Sequence, residues 1–239
     1  MPLKKTKKMI NLEDKHLLIT GASKGLGSVC AKALAHQGAR LVLMARSKEK
    51  LDEVRLSLDC PEMHLCIPLD LTDMSQLSEG IKKAKSFLVN IDVVLHVAGG
   101  GLGLREPLLD ADGLRRLFTL NLVVAAEINR LVVPDMIKKG KGNLVHIASI
   151  SSTEATGSVG YNTVKAALAA YVRSLGREIA GSGVVATGIL PGGFYAPENS
   201  WERLEAKSPE VVKKFIEERL HRKFLGRAEE LIPMILLLC

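Results

Sequence analysis

Short apolar runs alternate with stretches of helical periodicity along nearly the whole chain. Residues 16–20 (HLLIT) are mostly apolar and lead into a glycine cluster, so they predict a buried strand. Residues 28–37 (SVCAKALAHQ) carry apolar side chains at helical spacing and stop at Gly38, a residue suited to a helix end. Residues 41–45, 64–69, 93–97, 144–148 and 184–190 predict five further strands. Residues 48–58, 72–87, 112–139 and 161–180 predict further helices, the first two capped by Ser47 and Thr72. Strands that are apolar throughout are covered on both faces, whereas half-exposed antiparallel strands alternate. The pattern therefore predicts one α/β domain over residues 12–239, a doubly wound parallel sheet of Rossmann type with helices on both faces. In such sheets ligands bind beyond the carboxyl ends of the strands, where the strand order reverses. Chemistry is expected in the loops after Thr20, Ala45, Leu69, Val97, Ala148 and Leu190.

Composition narrows the class of function without choosing one. The 239 residues are 47% hydrophobic and 25% charged, which excludes extensive disorder, and at 4% aromatic the core must be aliphatic. No run reaches the roughly 20 apolar residues of a membrane helix, and the opening segment lacks the apolar stretch of a secretory signal. Cys30, Cys60, Cys66 and Cys239 form no CxxC pair, so reduced thiols and a cytoplasmic location are expected. Of the net charge of +7, four charges are Lys4, Lys5, Lys7 and Lys8 in a basic tail, residues 1–11, which leaves +3 elsewhere. No aromatic residue is interleaved with that tail, so neither nucleic acid nor a membrane surface is expected as partner. Cys60, His64 and Cys66 lie close together, but in or beside a buried strand; packing rather than a metal site is expected.

Three constellations carry candidate chemistry. The turn after the first strand reads Thr20, Gly21, Ala22, Ser23, Lys24, Gly25, Leu26, Gly27 and opens a helix. Glycines permit a close approach of backbone to ligand, and a helix N-terminus offers N–H groups to a phosphate. Any tight strand-to-helix turn also favours glycine, and the spacing differs from G-x-G-x-x-G. Tyr161 and Lys165, four apart, share a helix face. An ammonium near a phenol lowers the phenol pKa and suits it to acid–base work, although the same pair occurs on ordinary solvated helices. Ser149 ends the fifth strand, where a hydroxyl can polarise a carbonyl. Ser151 and Ser152 stand beside it, and spacing alone does not separate the three.

Together these residues resemble the short-chain dehydrogenase/reductase family in its single-domain form, over about residues 16–237. Its T-G-x-x-x-G-x-G motif falls on Thr20, Gly21, Gly25 and Gly27, and its Y-x-x-x-K motif on Tyr161 and Lys165. The family's serine falls on Ser149, its helix asparagine on Asn121, its adenine-side aspartate on Asp70, and its Pro-Gly on Pro191 and Gly192. The pattern is similar to that of 3-oxoacyl carrier-protein reductases. The resemblance implies a nicotinamide dinucleotide held by Gly21, Ser23, Lys24, Gly25, Leu26, Gly27, Arg46, Ser47, Asp70, Leu71, Ala98, Gly99, Tyr161, Lys165, Pro191 and Gly192. It implies that Tyr161 exchanges a proton with the substrate oxygen, Lys165 lowers the Tyr161 pKa and holds the ribose, Ser149 binds the substrate oxygen, and Asn121 anchors a water in the proton relay. The substrate would be a small carbonyl or alcohol under a lid, residues 193–226, whose nearly balanced charges give no case for an anionic substrate. A homodimer or homotetramer is implied, with the helices at 112–139 and 161–180 pairing across a two-fold axis; Ala166, Ala167, Ala169 and Ala170 permit close approach.

NADP(H) is the expected cofactor. NAD-selective relatives usually place an aspartate at the end of the second strand, whereas here no acid occurs between Leu41 and Lys48 and Arg46 follows the strand. Its planar fork suits a 2′-phosphate, with Lys24, Ser23 and Ser47 nearby.

Four features depart from the family pattern. His96 replaces the first asparagine of Asn-Asn-Ala-Gly, and the segment from Ser149 to Tyr161 is about one residue short. Ala196 stands where a threonine often binds the nicotinamide carboxamide, and the family's last strand, expected after the segment RKFLGRAEELIPMILLLC, is missing. The missing strand and altered loop keep a second reading open: a dinucleotide-binding regulatory or scaffold protein with little or no turnover.

Overall fold

Alternate residues of each apolar run face opposite sides of one parallel sheet, and both sides are covered. The computed structural model describes residues 10–239, so the four lysines of the basic tail lie outside the described residues. The chain runs β1 (His16–Thr20), α1 (Gly25–His36), β2 (Arg40–Ala45), α2 (Lys48–Leu56), β3 (Leu65–Pro68), α3 (Met74–Leu88) and β4 (Val93–His96). It continues through α4 (Ala111–Phe118), α5 (Val124–Lys139), β5 (Gly142–Ile147), α6 (Val159–Glu178) and β6 (Val184–Ile189). Beyond the sheet lie β7 (Phe194–Tyr195), α7 (Ser200–Lys207), α8 (Pro209–Arg219), β8 (Gly226–Arg227) and α9 (Ile232–Leu238).

The strand order is β3-β2-β1-β4-β5-β6, all parallel, with β6 at an edge. The order reverses between β1 and β4, so the turns after these two strands share the ligand-binding crevice of the fold. On one face Leu17, Ile19, Leu41, Leu43, Leu95 and Val145 pack on Cys30 and Leu34 of α1, Leu51 of α2 and Ile235 of α9. On the other, Leu18, Val42, Met44, Val94 and Leu144 pack on Leu77 and Ile81 of α3 and on Ile128 and Val132 of α5. Burying each such side chain contributes about 1.5–3 kcal/mol. By length and composition the stretch Ala111–Lys139 could cross a membrane; here its apolar side lies in this core.

Local details correct two expectations. Asp73, not Thr72, caps α3, accepting from the N–H groups of Ser75 (3.0 Å) and Gln76 (3.1 Å), while the Thr72 hydroxyl donates to Asp70 (2.7 Å). A carboxylate is the stronger acceptor and takes the helix N–H groups. The long helix predicted over 112–139 is broken at Thr119–Val123 by a π-helical turn. His64 is structural: its Nδ1 accepts from the Leu41 N–H at 3.1 Å, and its Nε2 meets the Asp59 carbonyl at 2.9 Å. All four cysteines are unbridged.

Under the carboxyl end of the sheet lies a buried polar network. His96 and His146 are register partners on β4 and β5, and their rings stack at 4.5 Å. Asn129 of α5 joins them: its Oδ1 accepts from His96 Nε2 (2.9 Å), and its Nδ2 donates to His146 Nε2 and to the Tyr171 hydroxyl (both 3.1 Å). His146 Nδ1 then donates to the Thr187 carbonyl at 3.1 Å, so each ring is neutral and its tautomer is fixed. His96 thus ties β4 to α5. Burial holds the His146 pKa down at about 4 and that of His96 well below its ordinary value. The unfolded chain protonates both below about pH 6.5. Their stabilising contribution is therefore complete above pH 6.5 and is lost as pH falls toward 4, on the order of 3 kcal/mol for His146 alone. Denaturant midpoints between pH 7 and 4.5 should fall steeply in the wild type and less in His146→Gln. Parallel profiles would refute the assignment.

Candidate active site

Thr20 closes β1 and fastens the crevice. Its Oγ1 accepts from the N–H groups of Val97 and Ala98, both at 3.2 Å, locking the turn after β1 to the turn after β4. Gly21 has φ +69° and donates to the Met44 carbonyl at 2.8 Å; a Cβ there would stand 2.9 Å from the Ala98 backbone. Only glycine permits both that conformation and that approach. A Cβ on Gly27 would meet the Gly21 carbonyl at 2.2 Å. Lys24 occupies the N-cap of α1 without providing a side-chain acceptor, which leaves the helix end suited to an anion. Leu26 and Leu71 are buried in the core, on opposite faces of the sheet.

The expected catalytic residues converge from three elements: α6, the π-helical turn and the loop after β5. Lys165 of α6 is 4% exposed, and its Nζ donates to the Ile147 carbonyl at 2.9 Å. That ammonium lies 5.7 Å from the Tyr161 ring centroid and 3.3 Å from where a Cβ on Gly99 would stand. Burial holds its pKa down at about 8. Asn121 sits in the π-helical turn, where its Nδ2 donates to the Leu117 carbonyl at 2.9 Å in place of a regular helical N–H. Its Oδ1 accepts from Gly100 N–H (2.9 Å) and its Nδ2 also donates to the Gly100 carbonyl (3.0 Å). Asn121 thus clamps the glycine loop beside Lys165, and its side chain is spent on backbone. π-Turns of this kind recur at functional sites.

The serine left open by spacing is distinguished by geometry. Ser149 accepts from Ser151 N–H at 3.1 Å and is near enough to the Tyr161 phenol to pull its pKa down. Ser151 Oγ is instead paired with Thr156 Oγ1 at 2.9 Å. Burial pushes the Tyr161 pKa above its ordinary value, against a pull from Ser149. Burial is the largest influence on the phenol, whose ring centroid lies 5.7 Å from the Lys165 ammonium. Asn162, not singled out in the sequence, holds the approach loop through Gly157 N–H (2.9 Å) and carbonyl (3.1 Å).

At the adenine end of the crevice, Arg46 is exposed at the end of β2, close enough to Asp70 to favour its carboxylate. The Asp70 pKa is lowered chiefly by the Thr72 hydroxyl and N–H. Ser47 caps α2 by accepting from Lys50 N–H (3.2 Å) and donates to Glu49 (3.1 Å), so its hydroxyl is engaged locally. Ser23 is half-buried on the turn. Pro191 is buried and its carbonyl accepts from Ile150 N–H at 3.0 Å, while Gly192 faces open space beside a cavity of about 190 Å³. Ala196, in the place of the carboxamide-binding threonine, is buried in the core at 4% exposure.

A parallel sheet with a glycine turn at its switch point, and a half-buried tyrosine beside a buried lysine, is the arrangement of a dinucleotide-dependent oxidoreductase of the Rossmann type. The family model for short chain dehydrogenases matches residues 15–207, and the chain belongs to that family. It is similar to an uncharacterised oxidoreductase of Staphylococcus aureus (strain USA300), 33% identical over 185 residues, covering 77% of this chain and 80% of the relative. It is also 33% identical over 187 residues to the ketoacyl reductase HetN of Nostoc, covering 77% of this chain and 65% of the relative. The solved structure of levodione reductase superposes with a TM-score of 0.86 at 25% identity, covering 95% of this chain and 90% of that one. Members of the family bind a nicotinamide dinucleotide, and the residues here fit one: Gly21, Gly27 and Gly99 leave room at backbone, and the buried Lys165 ammonium has three donors of which one is spent on Ile147.

Proposed function

We propose that this protein is an NADP(H)-dependent reductase of small carbonyl compounds, working reversibly on the corresponding secondary alcohols. The observation that carries the reading is the meeting of Lys165 and Asn121 at Gly99, with Tyr161 beside Lys165 and Ser149 beside Tyr161. The bound nicotinamide supplies or accepts the hydride. Tyr161, a phenol protonated at neutral pH, donates its proton to the substrate oxygen during reduction. Ser149 donates a hydrogen bond to the same oxygen and orients it. Lys165 holds ribose hydroxyls with its unspent donors and stabilises the phenolate left on Tyr161. Asn121 keeps the glycine loop in register with Lys165. Gly21, Leu26, Ala98, Pro191 and Gly192 line the dinucleotide path, and Arg46 with Lys24 selects the 2′-phosphate.

The test is NADPH oxidation against a panel of ketones, 3-oxoacyl thioesters and keto sugars. Turnover of any member supports the reading. Tight cofactor binding without turnover favours the second reading, a dinucleotide-binding regulator. One observation speaks for that alternative: the loop carrying Ala196 folds onto the glycine turn, where the Pro197 carbonyl takes the Gly25 N–H at 2.7 Å.

The protein would act as a homo-oligomer. Ala166 and Ala170 lie exposed on α6 with Ala167 and Ala169 half-buried, a shallow face that permits close helix approach. Light scattering at micromolar concentration should give at least a dimer mass; a monomer mass would contradict this.

A further inference from the structure

At the adenine end of the crevice three cations, Lys24, Lys50 and Arg203, act on one carboxylate, Glu198. Lys24 on the glycine turn carries a charge influenced by Arg46, Lys50, Arg203 and Glu198. Lys50 of α2 forms an ion pair with Glu198, and Arg203 of α7 donates to the Glu198 carbonyl. The Glu198 backbone sits in the left-handed region at φ +56°, a conformation that a side chain other than glycine adopts at some cost. The other nearby carboxylate, the exposed Glu202, is engaged by the Glu198 N–H. One residue back, Pro197 covers the Gly25 N–H at 2.7 Å. The segment thus places an anion among cations that face the expected phosphate site and a carbonyl on the helix N-terminus beside it.

We propose that Glu198 is a built-in competitor of the cofactor's 2′-phosphate, holding Lys50 and Lys24 until the phosphate displaces it, and that Lys50 is thereby a further cofactor-selecting residue. The inference rests on the NADP(H) reading above. The two anions need the same cations, since Lys50 has one compact ammonium and its acidic partner is Glu198. An NADH molecule carries no 2′-phosphate and leaves the pair intact. Removing the carboxylate charge therefore frees cations for NADPH and does little for NADH. The pair is partly exposed, so the effect is modest: about three- to tenfold in affinity.

Fluorescence titrations of NADPH and NADH into the full-length wild type, Glu198→Gln, Lys50→Ala and the double variant test the proposal. Glu198→Gln should tighten NADPH by about three- to tenfold and change NADH by less than about twofold. Lys50→Ala should weaken NADPH more in the Glu198→Gln background than in the wild type, because in the wild type it also removes the competitor's partner. Unchanged or weaker NADPH binding in Glu198→Gln overturns the proposal. Equal tightening of both cofactors overturns it too, since that points to a general opening of the loop. If wild type binds NADPH tightly and these variants do not discriminate, only the competitor role fails. If neither wild type nor Glu198→Gln binds NADPH in preference to NADH, the NADP(H) reading fails and this inference fails with it.

Discussion

Tyr161→Phe is expected to lower turnover by about 10²–10⁴-fold while leaving cofactor affinity within about twofold, the range typical of a lost general acid–base group. The substitution removes one oxygen and keeps the half-buried ring in place. No hydrogen bond that supports the fold ends on that phenol: Lys165 is anchored to Ile147 and Asn121 to Gly100 and Leu117. Lys165→Ala should be at least as damaging and should also weaken cofactor binding, because it removes the donors beside Gly99. It additionally empties a site occupied by a long side chain only 4% exposed, so some loss of stability is expected with it. The two variants therefore separate proton transfer from cofactor holding. Single-turnover rates and equilibrium NADPH titrations measure each. More than about a tenth of wild-type turnover in Tyr161→Phe would remove Tyr161 from the catalytic role.

Much of this arrangement can be read from the chain because it rests on local physics. Strands buried on both faces are apolar throughout, so the strand runs and the doubly wound class were visible before any contact was known. The turn from Thr20 to Gly27 and the Tyr161–Lys165 pair are likewise local, fixed by positive φ and by the helical period. What stayed hidden depends on long-range register. His96 and His146 are fifty residues apart and meet only because β4 and β5 pair in parallel. The function of His96 as a tie to Asn129 required knowing which face of α5 turns inward. The π-helical turn at Asn121 left no trace in periodicity, since one inserted residue in a long apolar helix shifts the pattern too little to notice. The direction of the Tyr161 pKa was also beyond the sequence. Spacing places Lys165 on the same face, but how far the fold buries the phenol, the largest influence on its pKa, depends on long-range packing. Even the cap of α3 turned on a neighbour: Thr72 was occupied by Asp70, leaving the helix end to Asp73.

NADPH is expected to bind about ten- to a hundredfold more tightly than NADH, and Arg46→Ala should erase most of that difference. The second strand ends without a carboxylate to accept hydrogen bonds from ribose hydroxyls, and the nearest acid across the crevice, Asp70, is held by Thr72. Arg46 stands exposed at the strand end with Lys24 in the adjoining turn, and the two share the influence of their charges. A 2′-phosphate offers this pair a doubly charged acceptor, whereas a bare hydroxyl offers no charge to bind. Each charge-assisted contact contributes about 1.5–3 kcal/mol when shielded. Both side chains are solvent-exposed here, and screening reduces that by half or more. The remaining preference comes to about 1.4–3 kcal/mol, which is the ten- to hundredfold stated. Arg46→Ala removes a bidentate donor and no core packing, so NADPH affinity should fall at least about tenfold while NADH affinity stays within about twofold. Raising the salt concentration should narrow the preference in the wild type and leave NADH binding nearly unchanged. Equal affinities for the two cofactors, or tighter binding of NADH, would show that Arg46 points to solvent or stacks on the adenine instead.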